Sequence, residues 1–201
     1  SSVPKKTSPV KLAVASSINE AFPWPPAKLQ QMELELFKAD GELEVTRWAA
    51  SPQVYNPTNM DIDHMGNIWV AEGVNYRREN MSRRKDGDRI VVLRDTNGDG
   101  TADKSHTFYQ NPNLSCPLGI AVLDNKIVVS QPPELIVLTD ANRNLVFDEG
   151  IDKKEVLLTG FNGRQHDHSV HSLTAGPEGN WYFNAGNCGA IFTDKSGKTF
   201  R

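Results

Sequence analysis

Short apolar runs separated by polar turns recur along the chain from residue 59 onward. A first group has runs at 60–63, 67–71, 89–94 and 107–109. A second group repeats the order at 118–122, 127–130, 135–138 and 155–159, and a third has runs at 171–174, 181–184 and 190–193. Runs of this length, rich in β-branched and aromatic residues and bounded by Gly, Asn and Asp, are typical of strands.

Groups of four short strands that recur every 50–60 residues or so are typical of the blades of a β-propeller. The pattern therefore predicts an all-β fold, a partial β-propeller with blades at about 59–110, 118–160 and 171–201. The third group stops at 198–201, where its outer strand is expected, so we expect these 201 residues to be part of a longer protein. A small open β-sheet domain is the alternative.

The N-terminal part of the chain has a different composition. Residues 1–26 are rich in Ser, Pro and Lys, and proline at this density disfavours both helix and sheet. We predict an extended arm with a short helix over 29–37, which together form a first region at 1–42, followed by the incomplete propeller at 43–201. The alternation at 43–49 predicts a strand.

Composition and charge narrow the function classes. The chain is 38% hydrophobic and 23% charged, as in ordinary globular proteins, and its net charge of −3 gives no reason to expect nucleic acid. The basic cluster at 77–78 and 83–85 is interpreted as a solvated loop. No apolar run approaches the length of a membrane span. Cys116 and Cys188 belong to no C-x-x-C pattern, and they are compatible with a disulfide or with two buried thiols.

Three histidines and a carboxylate lie within six residues of one another, at His166, Asp167, His168 and His171. Histidine changes its charge near neutral pH, so this cluster suits proton abstraction or metal binding. As a metal site, the three imidazoles would bind Cu or Zn. Along an extended strand, however, His171 points away from His166 and His168, which favours a single acting histidine.

Two loops place oxygen-bearing side chains at the spacing of a calcium loop. The first carries Asp95, Asn97, Asp99 and Asp103 at positions one, three, five and nine, with Gly100 at position six. The second keeps the spacing with Asp140, Asn142, Asn144 and Asp148, but has Leu145 at position six. Such spacing predicts structural Ca²⁺; the alternative is a pair of Asx-rich hairpin turns without an ion.

Strand direction separates these loops from the histidines. Both acidic loops connect the third and fourth strands of a group, whereas the histidines precede the first strand of the next group. In a meander of antiparallel strands these two kinds of connection lie at opposite ends. Any Ca²⁺ is therefore predicted to stiffen hairpins rather than to take part in catalysis.

The run 167–189 resembles part of the soluble pyrroloquinoline-quinone (PQQ) sugar dehydrogenases, a six-bladed propeller family. The shared features are Asp167-His168, the strand at 173–175, Gly176-Pro177-Glu178, the aromatic strand at 181–183 and Gly186-Asn187. The resemblance implies a six-bladed ring, of which this chain supplies about two and a half blades. It also implies that His168 is the general base, supported by His166, Asp167 and His171, with PQQ as cofactor. Asn187 stands where that family has Asp, and His171 and Ser172 stand where it tends to have Gly and Arg.

A wider resemblance covers residues 55–190. The stretches 56–63, 69–77 and 165–171 are similar to the N-terminal propeller of planctomycete and verrucomicrobial "membrane-bound dehydrogenase-domain" proteins. This resemblance implies that a c-type haem domain elsewhere in the longer protein, or a c-type cytochrome, receives the electrons. It also implies a periplasmic or extracellular location, with any membrane association made through other regions of the longer protein. The lack of a long apolar run predicts no transmembrane segment in this chain.

Three functions are therefore open. The chain is expected to be part of a quinoprotein-like dehydrogenase that oxidises a small hydroxylated sugar or alcohol, and the 201 residues by themselves are expected to be inactive. Alternatively, it is a non-catalytic module that binds carbohydrate or protein. The third possibility is the histidine metal site.

Overall fold

Twelve strands and no helix make up the part of the chain that the computed structural model describes, which comprises residues 37–76, 83–162 and 168–201. The strands are β1 (Pro57–Ile62), β2 (Ile68–Glu72), β3 (Arg89–Arg94), β4 (Lys104–Gln110), β5 (Gly119–Leu123), β6 (Lys126–Gln131), β7 (Glu134–Thr139), β8 (Lys153–Phe161), β9 (Val170–Ala175), β10 (Trp181–Ala185), β11 (Ala190–Asp194) and β12 (Thr199–Phe200). Every pair of neighbouring strands is antiparallel. The predicted all-β class is confirmed. Within the described ranges no helix is long and apolar enough to cross a membrane.

The first two groups of strands each form a sheet in chain order. The first sheet has the order β1-β2-β3-β4, and β5 to β8 follow the same order in the second. The middle strands are the apolar runs: four consecutive residues of β3, from Ile90 to Leu93, are buried, as are the four residues of β7 from Leu135 to Leu138. A strand buried on both faces needs such a continuous apolar run.

The third group differs from the predicted blade. β9 and β10 form a separate two-stranded sheet, and β11 with β12 extends the second sheet from the edge at β8. Aromatic packing accounts for this pairing, because Phe192 of β11 stacks on Phe161 of β8 with ring centroids 5.3 Å apart. β11 also covers the backbone groups that β8 would otherwise expose at the sheet edge.

The core lies between the sheets. The largest cluster joins the first and second sheets through Trp69, Phe108, Ile127 and Leu138, and the Trp69 and Phe108 rings meet edge to face at 4.9 Å. A second cluster joins the second sheet to β9 and β10. Burial of each large apolar side chain contributes roughly 1.5–3 kcal/mol, so these clusters stabilise the sheet arrangement.

The chain divides into two compact units, Ser1–Arg47 and Trp48–Arg201. In the first unit, the described residues form a turn closed by the Leu43 N–H on the Asp40 carbonyl at 2.9 Å, and they form neither helix nor strand. The prediction of a strand at 43–49 is therefore wrong. No strand is present there, and the Leu43 and Val45 side chains are exposed. The arm at 1–26 and most of the helix at 29–37 lie outside the described residues.

Candidate functional site

His168 and His171 lie at the beginning of β9. His168 is exposed, just before the strand, and His171 is half-buried as its second residue. The His168 carbonyl accepts the Cys188 N–H at 3.2 Å, and Gly186 packs so closely on the His168 backbone that a Cβ at Gly186 would lie 2.5 Å from that carbonyl oxygen. The backbone of His168 is thus held by the β10–β11 turn. His166 and Asp167 lie outside the described residues.

The end of the sheets that carries the histidines is opposite to the end that carries the acidic loops. The Ser130 hydroxyl, near the end of β6, donates to the His171 carbonyl. At the other end of the same hairpin, the Asn125 side-chain amide donates to the Asp140 carbonyl, where the second acidic loop begins, at 3.1 Å. The separation that strand direction predicts is therefore present in the structure.

A buried ion cluster, which the sequence pattern did not predict, lies at the histidine end of the first sheet. The fully buried carboxylate of Glu72 accepts hydrogen bonds from Arg84 at 2.5 Å and from Arg89 at 2.8 and 2.9 Å. It also accepts the Tyr55 N–H at 2.8 Å. Arg84 is only 19% exposed, so its assignment to a solvated loop is wrong. The sequence contains one indication of this cluster: Glu72 directly follows the apolar run 69–71, in which burial is expected. A buried carboxylate requires cationic or hydrogen-bonding partners.

Asp88 is a second buried carboxylate in the same region. It accepts the Cys116 N–H at 2.7 Å and the Asn75 N–H at 3.1 Å, and it interacts electrostatically with the Arg84 guanidinium. Burial raises the pKa of Asp88, and these hydrogen bonds and the arginine offset that effect only in part. Asp88 thereby fixes the loop before β3 to the connection that leads into β5.

The two cysteines are thiols and are not joined in a disulfide. Cys116 is buried and Cys188 is half-buried. Cys116 has a φ of 47°, and its N–H is the group that Asp88 binds. Of the two possibilities that the sequence left open, the structure contains thiols.

The first acidic loop wraps around one carboxylate. Asp95 accepts the N–H groups of Gly98, Asp99 and Gly100 at 2.7, 3.3 and 2.9 Å. The other predicted ligands are bonded to neighbours in the loop: Asn97 donates to Asp99 at 3.1 Å, and the Thr96 hydroxyl donates to Asp103 at 2.6 Å. These bonds are those of an Asx-type turn.

The second acidic loop has a similar arrangement but lies closer to the core. Asp140, 2% exposed, accepts the N–H groups of Asn144 and Leu145 at 3.2 and 2.9 Å. The side-chain amides of Asn142 and Asn144 donate to Asp148 at 2.8 and 2.7 Å. Among the described residues, no three His, Cys, Asp or Glu side chains converge to hold a metal ion, so Ca²⁺ and the histidine metal site stay predictions.

A cavity of about 520 Å³ lies at this end of the first and second sheets. Asp63, in the β1–β2 turn, is one of its lining residues. Burial acts to raise the pKa of Asp63, but hydrogen bonds from Trp69, Asn67 and Met65 outweigh it and lower that pKa below the ordinary value. Asp63 is thus an ionised carboxylate that fixes the turn beside the cavity.

These features define an all-β protein of antiparallel sheets with a histidine end and an acidic end. Residues 29–201 match the model of the "Domain of unknown function (DUF7133)", and the chain belongs to that family. No curated protein matches it. Among solved structures, the chain is similar to the iodide structure of the Trichoderma reesei carbohydrate-active enzyme of family AA12, with 16% identity and a TM-score of 0.44. That match covers 66% of this chain and 29% of the other, so the chain spans less than a third of the length of that structure.

Proposed function

We propose that this chain is the N-terminal part of a quinoprotein-like sugar or alcohol dehydrogenase with a propeller fold, in which His168 accepts the proton of a substrate hydroxyl. The observation that supports the proposal is the packing of the first strands of the three groups. The Val122 N–H of β5 donates to Asp61 of β1 at 2.7 Å, and Asn59 of β1 donates to Ser172 of β9 at 2.8 Å. In a propeller the blades surround a central channel, so the first strands of the blades are expected to lie near one another around it.

The position of His168 suits a general base. Its imidazole is exposed immediately before β9, while its backbone is held by the Cys188 N–H and by the close approach of Gly186. A base must be both accessible to the substrate hydroxyl and fixed in orientation. General-base catalysis of this kind contributes roughly 10²–10⁴-fold in rate.

The two partly buried arginines at the histidine end do not fit the role of partners for an anionic quinone such as PQQ. Arg84 and Arg89, which lie at the histidine end, are bound to the carboxylate of Glu72. We therefore propose that the groups that hold the quinone come from the remainder of the longer chain, as does the c-type haem that would take the electrons. An exported location belongs to the same proposal.

The test is oxidation of a panel of sugars and alcohols by the natural full-length protein, with added PQQ and an artificial electron acceptor. We expect His168→Gln to lower kcat by at least 100-fold. His106→Gln is the matched control, because His106 lies at the acidic end and bonds the Leu145 carbonyl; it should retain turnover. Absence of turnover with every substrate, or equal rates for the two variants, would contradict the proposal. The 201-residue chain by itself should be inactive.

A further inference from the structure

The cavity between the first two sheets has the size of a small-molecule site. Its volume of about 520 Å³ lies within the range of roughly 300–1,000 Å³ that ligand pockets occupy. Two strand turns and the two acidic loops surround it, and it lies at the end of the sheets opposite to His168. It is therefore independent of the function proposed above.

Core residues line the apolar part of the cavity. Trp69 and Ile127, which are 2% and 1% exposed, belong to the cluster that joins the two sheets, and Leu145 packs against that cluster. The indole N–H of Trp69 donates to Asp63 at 2.9 Å, which fixes the ring. The layer beneath the cavity is thus preformed and rigid, which lowers the entropic cost of binding, although Trp69 and Ile127 themselves present almost no surface to a ligand.

The cavity carboxylates already have partners within the protein. Asp63 accepts four hydrogen bonds, from the Met65 and Asn67 N–H groups, the Asn67 amide and the Trp69 indole. Asp124 forms a two-pronged ion pair with Arg143 at 2.6 and 2.7 Å. A metal cation in the cavity would have to replace these bonds of Asp63 and Asp124, which disfavours it as the ligand of the cavity.

The cavity lining offers a ligand both hydrogen-bond donors and hydrogen-bond acceptors. Arg94 is exposed at the end of β3 and makes no ion pair or side-chain hydrogen bond with another residue in the described ranges. The His64 imidazole likewise makes no hydrogen bond with any described residue. Both residues line the cavity. Asn67 and Asn125 also line it, and each uses its side-chain amide as a donor while its side-chain oxygen accepts nothing from the described residues.

We propose that this cavity binds a neutral, polyhydroxylated small molecule of monosaccharide to disaccharide size. A hydroxyl group both donates and accepts, so it can satisfy the Arg94 guanidinium, the His64 imidazole and the amide oxygens at once. The C–H groups of such a molecule would lie on Leu145 and Met65, which both line the cavity and have exposed surface. The lining contains four aspartates and two arginines, and this excess of negative charge disfavours an anion.

The test is isothermal titration calorimetry of the natural full-length protein with glucose, maltose, cellobiose, myo-inositol and glucuronate. We expect a neutral probe to bind, and Arg94→Ala and His64→Ala each to weaken that binding at least tenfold. Arg83→Ala is the matched control, because Arg83 is an exposed arginine at the histidine end; it should bind as the wild type does. His168→Gln should also bind normally, which separates this site from the proposed active site.

Each other result would overturn the proposal. No binding of any probe would do so, as would equal affinities in the Arg94, His64 and Arg83 variants. Binding of glucuronate without binding of a neutral probe would show an anion site instead. A second readout does not depend on the folding of any variant. In the wild type, a bound sugar should shift the NMR resonances of the His64 imidazole and leave unchanged those of His168, which lies at the opposite end of the sheets.

Discussion

The two acidic loops have left-handed backbone conformations at the same two positions but achieve them by different means. Each connects the third and fourth strands of its sheet, and each has left-handed residues at its fourth and sixth positions. In the first loop these are Gly98 and Gly100, with φ of 73° and 84°. In the second they are Arg143 and Leu145, with φ of 59° and 66°. Glycine adopts this conformation readily, whereas other residues pay about 1–2 kcal/mol for it.

Tertiary contacts compensate for the absence of glycine in the second loop. Leu145 packs against the main core cluster, its N–H donates to Asp140 at 2.9 Å, and its carbonyl bonds His106 at 2.8 Å. Gly100 has open space where a side chain would lie. The first loop therefore owes its shape to local conformational freedom, and the second to the core on which it rests.

The largest expected effect comes from removing the Leu145 side chain. Leu145→Ala loses the packing but keeps the backbone strain, so it should lower the free energy of unfolding by about 2 kcal/mol, the low end for a partly buried leucine. Leu145→Gly loses the same packing but relieves the strain, so it should cost about 1 kcal/mol less than the alanine variant. Urea denaturation of both variants measures the difference.

Gly100→Ala is the reciprocal variant in the first loop. It introduces the strain and meets no neighbouring atom, so we expect it to destabilise the protein by about 1 kcal/mol. The comparison fails if Leu145→Gly is less stable than Leu145→Ala, because strain at position six would then be insignificant.

The two loops are also expected to differ in their affinity for Ca²⁺, because they carry different numbers of carboxylates. The first loop offers three carboxylates at the predicted ligand positions and the second offers two, so Ca²⁺ should bind the first loop more tightly. At a Ca²⁺ concentration ten times Kd, the folded state gains about 1.4 kcal/mol, which raises Tm. Asp99→Asn should reduce this gain and Asp148→Asn should leave it intact. A Tm that does not change with millimolar Ca²⁺, or after chelation, would favour Asx turns without an ion.

The smallest expected effect is in the titration of the ninth residue of each loop. Hydrogen bonds from Thr96 lower the pKa of Asp103, and those from Asn142 and Asn144 lower the pKa of Asp148. A carboxylate with a lowered folded-state pKa stabilises the fold above its unfolded pKa, and this contribution is lost as pH falls below about 4. By NMR, Thr96→Val should raise the pKa of Asp103 only, and Asn142→Ala that of Asp148 only. If both values move in either variant, the loops are coupled.

The strand pattern could be predicted because it is local. The apolar runs that became β3 and β7 are bounded by Asp, Asn and Gly, and period and turn chemistry are sufficient to locate such strands. The run at 43–49 shows the limit of this reasoning. It alternates like a strand but forms none, because a strand also needs a partner strand to which its backbone can hydrogen-bond. At the candidate site, the sequence singled out His168 and His171 but missed Glu72 and its arginines.

The sequence by itself therefore determined where most of the strands lie and which loops carry the carboxylates. It also determined that these loops lie at the end of the sheets opposite to His168 and His171. Only the tertiary structure decided that β11 pairs with β8, that Arg84 is drawn onto Glu72, and that Leu145 takes a conformation suited to glycine. Each of these depends on contacts between residues far apart in the chain. Such contacts can outweigh a local preference of about 1–2 kcal/mol, and no local pattern records them.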